Sequence, residues 1–205
     1  YLGGLYRAVP IAITVEGANI LTRNLIIFGQ GAIRAHPYLM PEMLALANPD
    51  EERGIEVFHD VFWRHLRHAG KNTLRAIGRA WTGAVLAPSP VSGPTAGHYR
   101  RLGRYSSGFA LLADATLAQL GGGLKRREMI SARLGDVLSE LYLLSAVLKR
   151  WEDEGRKHDD LPLVHWCMEQ GYASIEKSLD QVLRNLPGRV LAWGLRAAIL
   201  PLRLA

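Results

Sequence analysis

DEERGIEVFHDVFWRHLRHAGKNTLRAIGRAWT, residues 50–82, decides the fold class. Phe58, Val61, Phe62, His65, Leu66, Ala69, Ala76, Ile77 and Ala80 recur at three- and four-residue steps, which gathers them on one face of a helix. Arg64, Arg67, Lys71, Arg75 and Arg79 share another face. Asp50, Glu51 and Glu52 open the segment and the basic residues fall toward its end, the order a helix dipole favours. One long helix from about Asp50 to Thr82 is predicted.

The same periodicity extends in both directions. Upstream, a helix is expected from Ala18 to about Arg34, ended at His36-Pro37 because a residue before proline avoids helical geometry. A short helix follows Pro41. Downstream, APSPVSGPTAG (87–97) is a loop and the clearest internal boundary. Helices from about Tyr99 to Leu120 and Arg127 to Glu154 come next, separated by Gly121-Gly122-Gly123. The second of these carries Ile130, Leu134, Val137, Leu138, Leu141, Leu144, Ala146 and Leu148 as a broad apolar face. A helix starting near Pro162 runs to Asn185, since proline is favoured in a first turn, and a last short one spans about Arg189 to Leu200. Ile11 to Val15 is the one short β-branched stretch and is expected to be extended. The chain is therefore all-α, a helical bundle in its second half.

The 205 residues are enough for one substantial core or two small helical units. Both ends read as interior to a longer chain. A formal net charge of +6 favours anionic partners without choosing among head groups, nucleic acid and phosphate-bearing ligands. The single Cys167 excludes an internal disulfide and reads as a small buried hydrophobe. No apolar run reaches the roughly 20 residues that span a bilayer.

Near the N-terminus Glu16 stands between an apolar segment (Ala12, Ile13, Val15) and Gly17, ahead of a very apolar helix. Poor solvation raises a carboxyl pKa toward the range of a general base. Capping of the following helix is the commoner role for an acid in this place, and spacing alone leaves both open.

The run VEGANILTRNLIIFGQGAIRAHPYL (Val15 to Leu39) closely resembles the start of the C-terminal region of the large bacterial-type acyl-CoA dehydrogenases, and the remaining chain looks similar to their additional helical domain. Val15-Glu16-Gly17-Ala18 aligns with the family's Tyr-Glu-Gly-Thr element. The resemblance implies that Glu16 is the base that removes the α-proton of an acyl-CoA thioester, while the β-hydrogen leaves as hydride to FAD. Its backbone N–H would help bind the thioester carbonyl. Gly17 would let the chain pass close to the flavin. Val15 and Ala18 depart from the family's Tyr and Thr, which bears on the local FAD contacts. The implied reaction converts medium- or long-chain fatty acyl-CoA to trans-2-enoyl-CoA in β-oxidation, with an electron-transfer acceptor and a homo-oligomer in the full-length enzyme. Residues 1–48 would end the FAD-binding helical domain and 49–205 would form the additional bundle. This chain alone is expected to bind no FAD and to be inactive. A cytoplasmic protein, in peripheral contact with the inner face of the cell membrane, is expected.

Other signals carry less. Gly29-Gln30-Gly31 lacks the third glycine of a dinucleotide loop and suits helix packing. His65 and His68 have a metal-compatible spacing without an obvious acidic or cysteine partner, so no metal is assigned. Poor aromatic interleaving on the basic face argues against nucleic acid. After Asp180 no acid follows, while Arg189, Arg196 and Arg203 recur every seven residues around Trp193. Such a helix suits a membrane interface through Arg189, Trp193 and Arg196, or a protein cover. The alternative function is accordingly non-enzymatic: a basic helical module that docks on a membrane or a protein partner.

Overall fold

The computed structural model of the chain describes residues 3–4, 6–8 and 31–201. Glu16, Gly17, Arg203, the Ile11–Val15 stretch and most of the helix expected from Ala18 lie outside the described residues. Seven α-helices with defined bounds follow: α1 (Gly31–Ala35), α2 (Leu39–Leu46), α3 (Glu51–Trp81), α4 (Ala96–Leu120), α5 (Glu128–Asp153), α6 (Leu161–Asn185) and α7 (Arg189–Ile199). Short 3₁₀ turns, Gly121–Arg126 and His158–Asp160, precede α5 and α6. Every regular element among the described residues is helical, as the periodicity requires.

The core is the seam of α4, α5 and α6, closed at one end by α7. On α5, Ile130, Leu134, Val137, Leu141, Leu144, Leu148 and Trp151 are buried at alternating steps of four and three. From α6, Met168, Tyr172, Ile175, Leu179 and Val182 meet them with no exposed surface. The helices approach closely where α6 carries glycine: a Cβ on Gly171 would stand 2.5 Å from Leu144 Cδ2. Two residues expected on the buried face of α5, Leu138 and Ala146, are exposed instead. The buried stripe is a single seam, and both lie beside it.

Local chemistry sets the helix ends. Asp50 caps α3, its carboxylate accepting the Arg53 amide at 3.1 Å. At the other end Gly83 takes φ +60° and the Ala84 amide reaches back to the Arg79 carbonyl at 2.8 Å, so the last carbonyls stay paired. Gly155 (φ +85°) ends α5 the same way, with Arg156 N–H bonded to Trp151 O at 2.9 Å. Helix α4 starts at Ala96, three residues before the expected Tyr99. The buried Thr95 does not cap it; its hydroxyl donates to Glu152 Oε1 at 3.2 Å and ties the loop to α5. The three glycines open a 3₁₀ turn rather than a plain break, and Leu124 in that turn is buried.

Helix α3 departs most from expectation. Only Gly54, Asn72, Ala76 and Ala80 are buried on it. Phe62, Leu66 and Ile77, expected on a covered face, are exposed.

Candidate functional site

A cavity of about 510 Å³ opens between α1, α2, α3, α4 and the 3₁₀ turn that follows α4. Ile33, Leu39, Met43, Ala69, Leu111, Leu117 and Leu124 make its walls largely apolar. Besides Lys125 and Ser131, its polar groups come from three segments distant in sequence. His36, just after α1, accepts the Tyr38 and Leu39 amides on Nδ1 at 3.2 Å each, which orders the start of α2. Its Nε2 then carries the proton and faces Asp114 Oδ1 of α4 at 3.4 Å. His65 of α3 donates from Nδ1 to Glu42 Oε1 of α2 at 2.8 Å and stacks on the Tyr38 ring at 5.5 Å. The two imidazoles lie 4.7 Å apart.

Burial pushes the His36 pKa down, and the neighbouring His65 and His68 push the same way against the pull of Asp114. A neutral His36 with both nitrogens engaged orients α2 and Asp114; neither nitrogen is free to move a proton. His68 bonds Asn72 at 2.9 Å and His59 bonds Trp63 at 2.9 Å. The histidines of α3 thus have organic partners. Among the described residues no three His, Cys, Asp or Glu side chains are arranged to hold a metal ion.

A second polar cluster locks α4 to α6. His98 Nε2 and His165 Nδ1 are 2.6 Å apart, and Tyr172 donates to the His98 carbonyl at 2.9 Å. Arg101 lies 4.3 Å over the Tyr172 ring and pairs with Glu169 at 2.6 Å. Tyr105 donates to Glu176. Burial, reinforced by that hydrogen bond, pushes the Tyr105 hydroxyl up to about 12. Burial likewise raises Tyr172, and burial together with His165 lowers His98. These groups are spent on holding two helices together.

Of the residues singled out from the sequence, Glu16 and Gly17 lie outside the described set. Arg196 of α7 is not a free cation. It pairs with Asp180, which also binds Arg184 at 2.6 Å. Burial alone would raise the Asp180 carboxyl, but the two guanidinium groups outweigh it and hold it below the usual range. Ala192, Leu195 and Ile199 face the protein, leaving Arg189, Val190 and Trp193 exposed on the outer side. Cys167 is half-buried and borders a smaller cavity of about 190 Å³ beside Trp151, less enclosed than expected. No helix among the described residues is long and apolar enough to cross a membrane.

The His36–Asp114 pair was missed by sequence reasoning, since no local spacing links residues so far apart. A family model described as acyl-CoA dehydrogenase, C-terminal, bacterial type, matches residues 33–205. No solved structure matches the chain.

Proposed function

Because this chain belongs to the bacterial-type acyl-CoA dehydrogenase C-terminal family, we propose that it serves FAD-dependent α,β-dehydrogenation of medium- or long-chain fatty acyl-CoA to trans-2-enoyl-CoA in β-oxidation. The family match over residues 33–205 carries this reading. Residues 1–48 are assigned to the end of the flavin-binding helical unit and 49–205 to the additional bundle, with α2 packed on α3 across that boundary. Glu16 is the proposed base for the α-proton, and Gly17 the position that lets the backbone approach the cofactor. Bound FAD supplies the two-electron acceptor in such a reaction.

The described cavity does not suit FAD. Lys125 is the one lysine or arginine among its described lining residues, and the rest of the wall is largely apolar, whereas a dinucleotide brings a pyrophosphate. The bundle's own part is to hold α1 against α2 and, through the His36–Asp114 pair, to tie the turn after α1 to α4.

The test is acyl-CoA-dependent flavin bleaching in the FAD-loaded dehydrogenase that contains this chain. Wild type should bleach with a long-chain thioester and Glu16→Gln should not. Equal bleaching in both moves the base elsewhere; no flavin and no bleaching in either defeats the assignment.

A second reading, peripheral contact of a cytoplasmic protein with the membrane, rests on α7, where Trp193 is 67% exposed beside Val190 and Arg189. Trp193→Ala should then reduce co-sedimentation with anionic vesicles. Binding indifferent to that change and to lipid charge removes it.

A further inference from the structure

We propose that the cavity bounded by α1, α2, α3, α4 and the Gly121–Arg126 turn binds a fatty carboxylate, its hydrocarbon tail against the apolar walls and its head group on Lys125. The volume of about 510 Å³ lies within the roughly 300–1,000 Å³ of small-molecule sites. Leu111 and Leu124 are buried and make the inner wall. Met43, unbranched and half exposed, is a side chain that adapts to a flexible tail.

The class of ligand follows from which polar groups in the wall are already engaged. His36 spends Nδ1 on two amides and turns Nε2 to Asp114. Glu42 holds His65, and Ser131 has a partner of its own. These groups serve the protein and leave little for a ligand to satisfy. Lys125 differs. Among the described residues it makes no hydrogen bond or ion pair, and of the charged groups described in the lining it alone is unengaged. It is exposed, as are Gly121 and Gly122 beside it, where an added Cβ would meet nothing within 4 Å. The cavity therefore opens to solvent at its free cation.

Walls of this kind match a ligand with a long apolar part and one negative charge at its end. A CoA or dinucleotide head brings several phosphates, and one lysine meets them. A plain hydrocarbon leaves the lysine unused, and a cation is repelled at the rim. A fatty carboxylate meets both features. Burial of the tail supplies most of the driving force, and the exposed ion pair adds a smaller, salt-sensitive part.

Isothermal titration calorimetry of the 205-residue chain with sodium decanoate, below its micelle concentration, should show one site with a negative heat-capacity change. Lys125→Glu should weaken decanoate by roughly three- to tenfold and leave decanol, with the same tail and no charge, unchanged. Ala118→Trp, at an exposed position of α4 that lines the cavity, should abolish binding of both. Far-ultraviolet circular dichroism and thermal midpoints near wild type would show that the two variants keep the fold. Four results would each overturn the proposal: no heat with decanoate, uptake of several equivalents indifferent to Ala118→Trp, equal weakening of decanoate and decanol by Lys125→Glu, or decanoyl-CoA bound more tightly than decanoate. The last would make the ligand a CoA thioester. None of these readouts involves flavin, so failure here is distinguishable from failure of the bleaching test.

Discussion

Helices α3 and α5 carry apolar stripes of the same period and opposite fates. On α5, seven residues from Ile130 to Trp151 are buried at a strict four–three alternation. On α3, Ile55, Phe62, Leu66, Leu74, Ile77 and Trp81 share one side of the helix and are exposed. The period of a stripe says that a face exists; it does not say what covers it. Cover comes from topology. Helix α5 turns back on α6 after a few residues through the His158–Asp160 turn, so its stripe finds a neighbour within the chain. Helix α3 is 31 residues long, and α2, α4 and α7 pack on its other side, leaving this face uncovered among the described residues.

The comparison breaks most easily at leucine. Leu148 is fully buried on α5, and Leu66 is half exposed on α3. Leu148→Ala should cost about 2–5 kcal/mol, the transfer of the lost methyls plus the cavity they leave. Leu66→Ala should stay within about 0.5 kcal/mol under conditions where the chain is monomeric. Urea midpoints of the two variants measure this directly. Equal losses would mean that α3 is covered in the monomer and that the contrast between the two stripes is false.

Much of this architecture was legible in the sequence. Breakers and periodicity placed α3, α5, α6 and α7 within a residue of their observed ends, because proline, glycine and charge at a terminus act locally. Helix α4 began earlier than its loop-like composition suggested, since Thr95 takes its partner from α5 and not from its own helix. The face of α5 was drawn too wide at Leu138 and Ala146, because hydropathy cannot tell a seam from its margin. The His36–Asp114 and Glu42–His65 pairs join residues from separate segments of the fold, and no spacing rule reaches across a fold. The reading of Glu16 and Gly17 came from a resemblance of sequence and rests on residues outside those described.

A smaller effect sharpens the contrast through pH, because the α4–α6 seam holds the buried His98 inside it. His98 faces His165 and Glu169 from α6, Arg101 from its own helix and the Tyr172 hydroxyl. Its folded pKa lies below 6.5, through burial first and the second imidazole next. The unfolded chain therefore binds the proton more readily. Stability is full above 6.5 and falls as pH drops below it, until pH passes the folded pKa. The slope is at most about 1.4 kcal/mol per pH unit for each proton taken up. His36, also lowered, acts with the same sign. Asp180 belongs to a separate window. Its carboxyl sits below 3.8 in the fold, so the stability from Arg196 and Arg184 persists to lower pH and is lost only below that value. Urea midpoints from pH 8 to pH 5 should decline in wild type. The decline should be shallower in His165→Asn, where the second imidazole no longer opposes protonation of His98. An unchanged slope in that variant would shift the acid sensitivity to the His36 cluster beside α3, and the seam would then be the less pH-sensitive of the two regions.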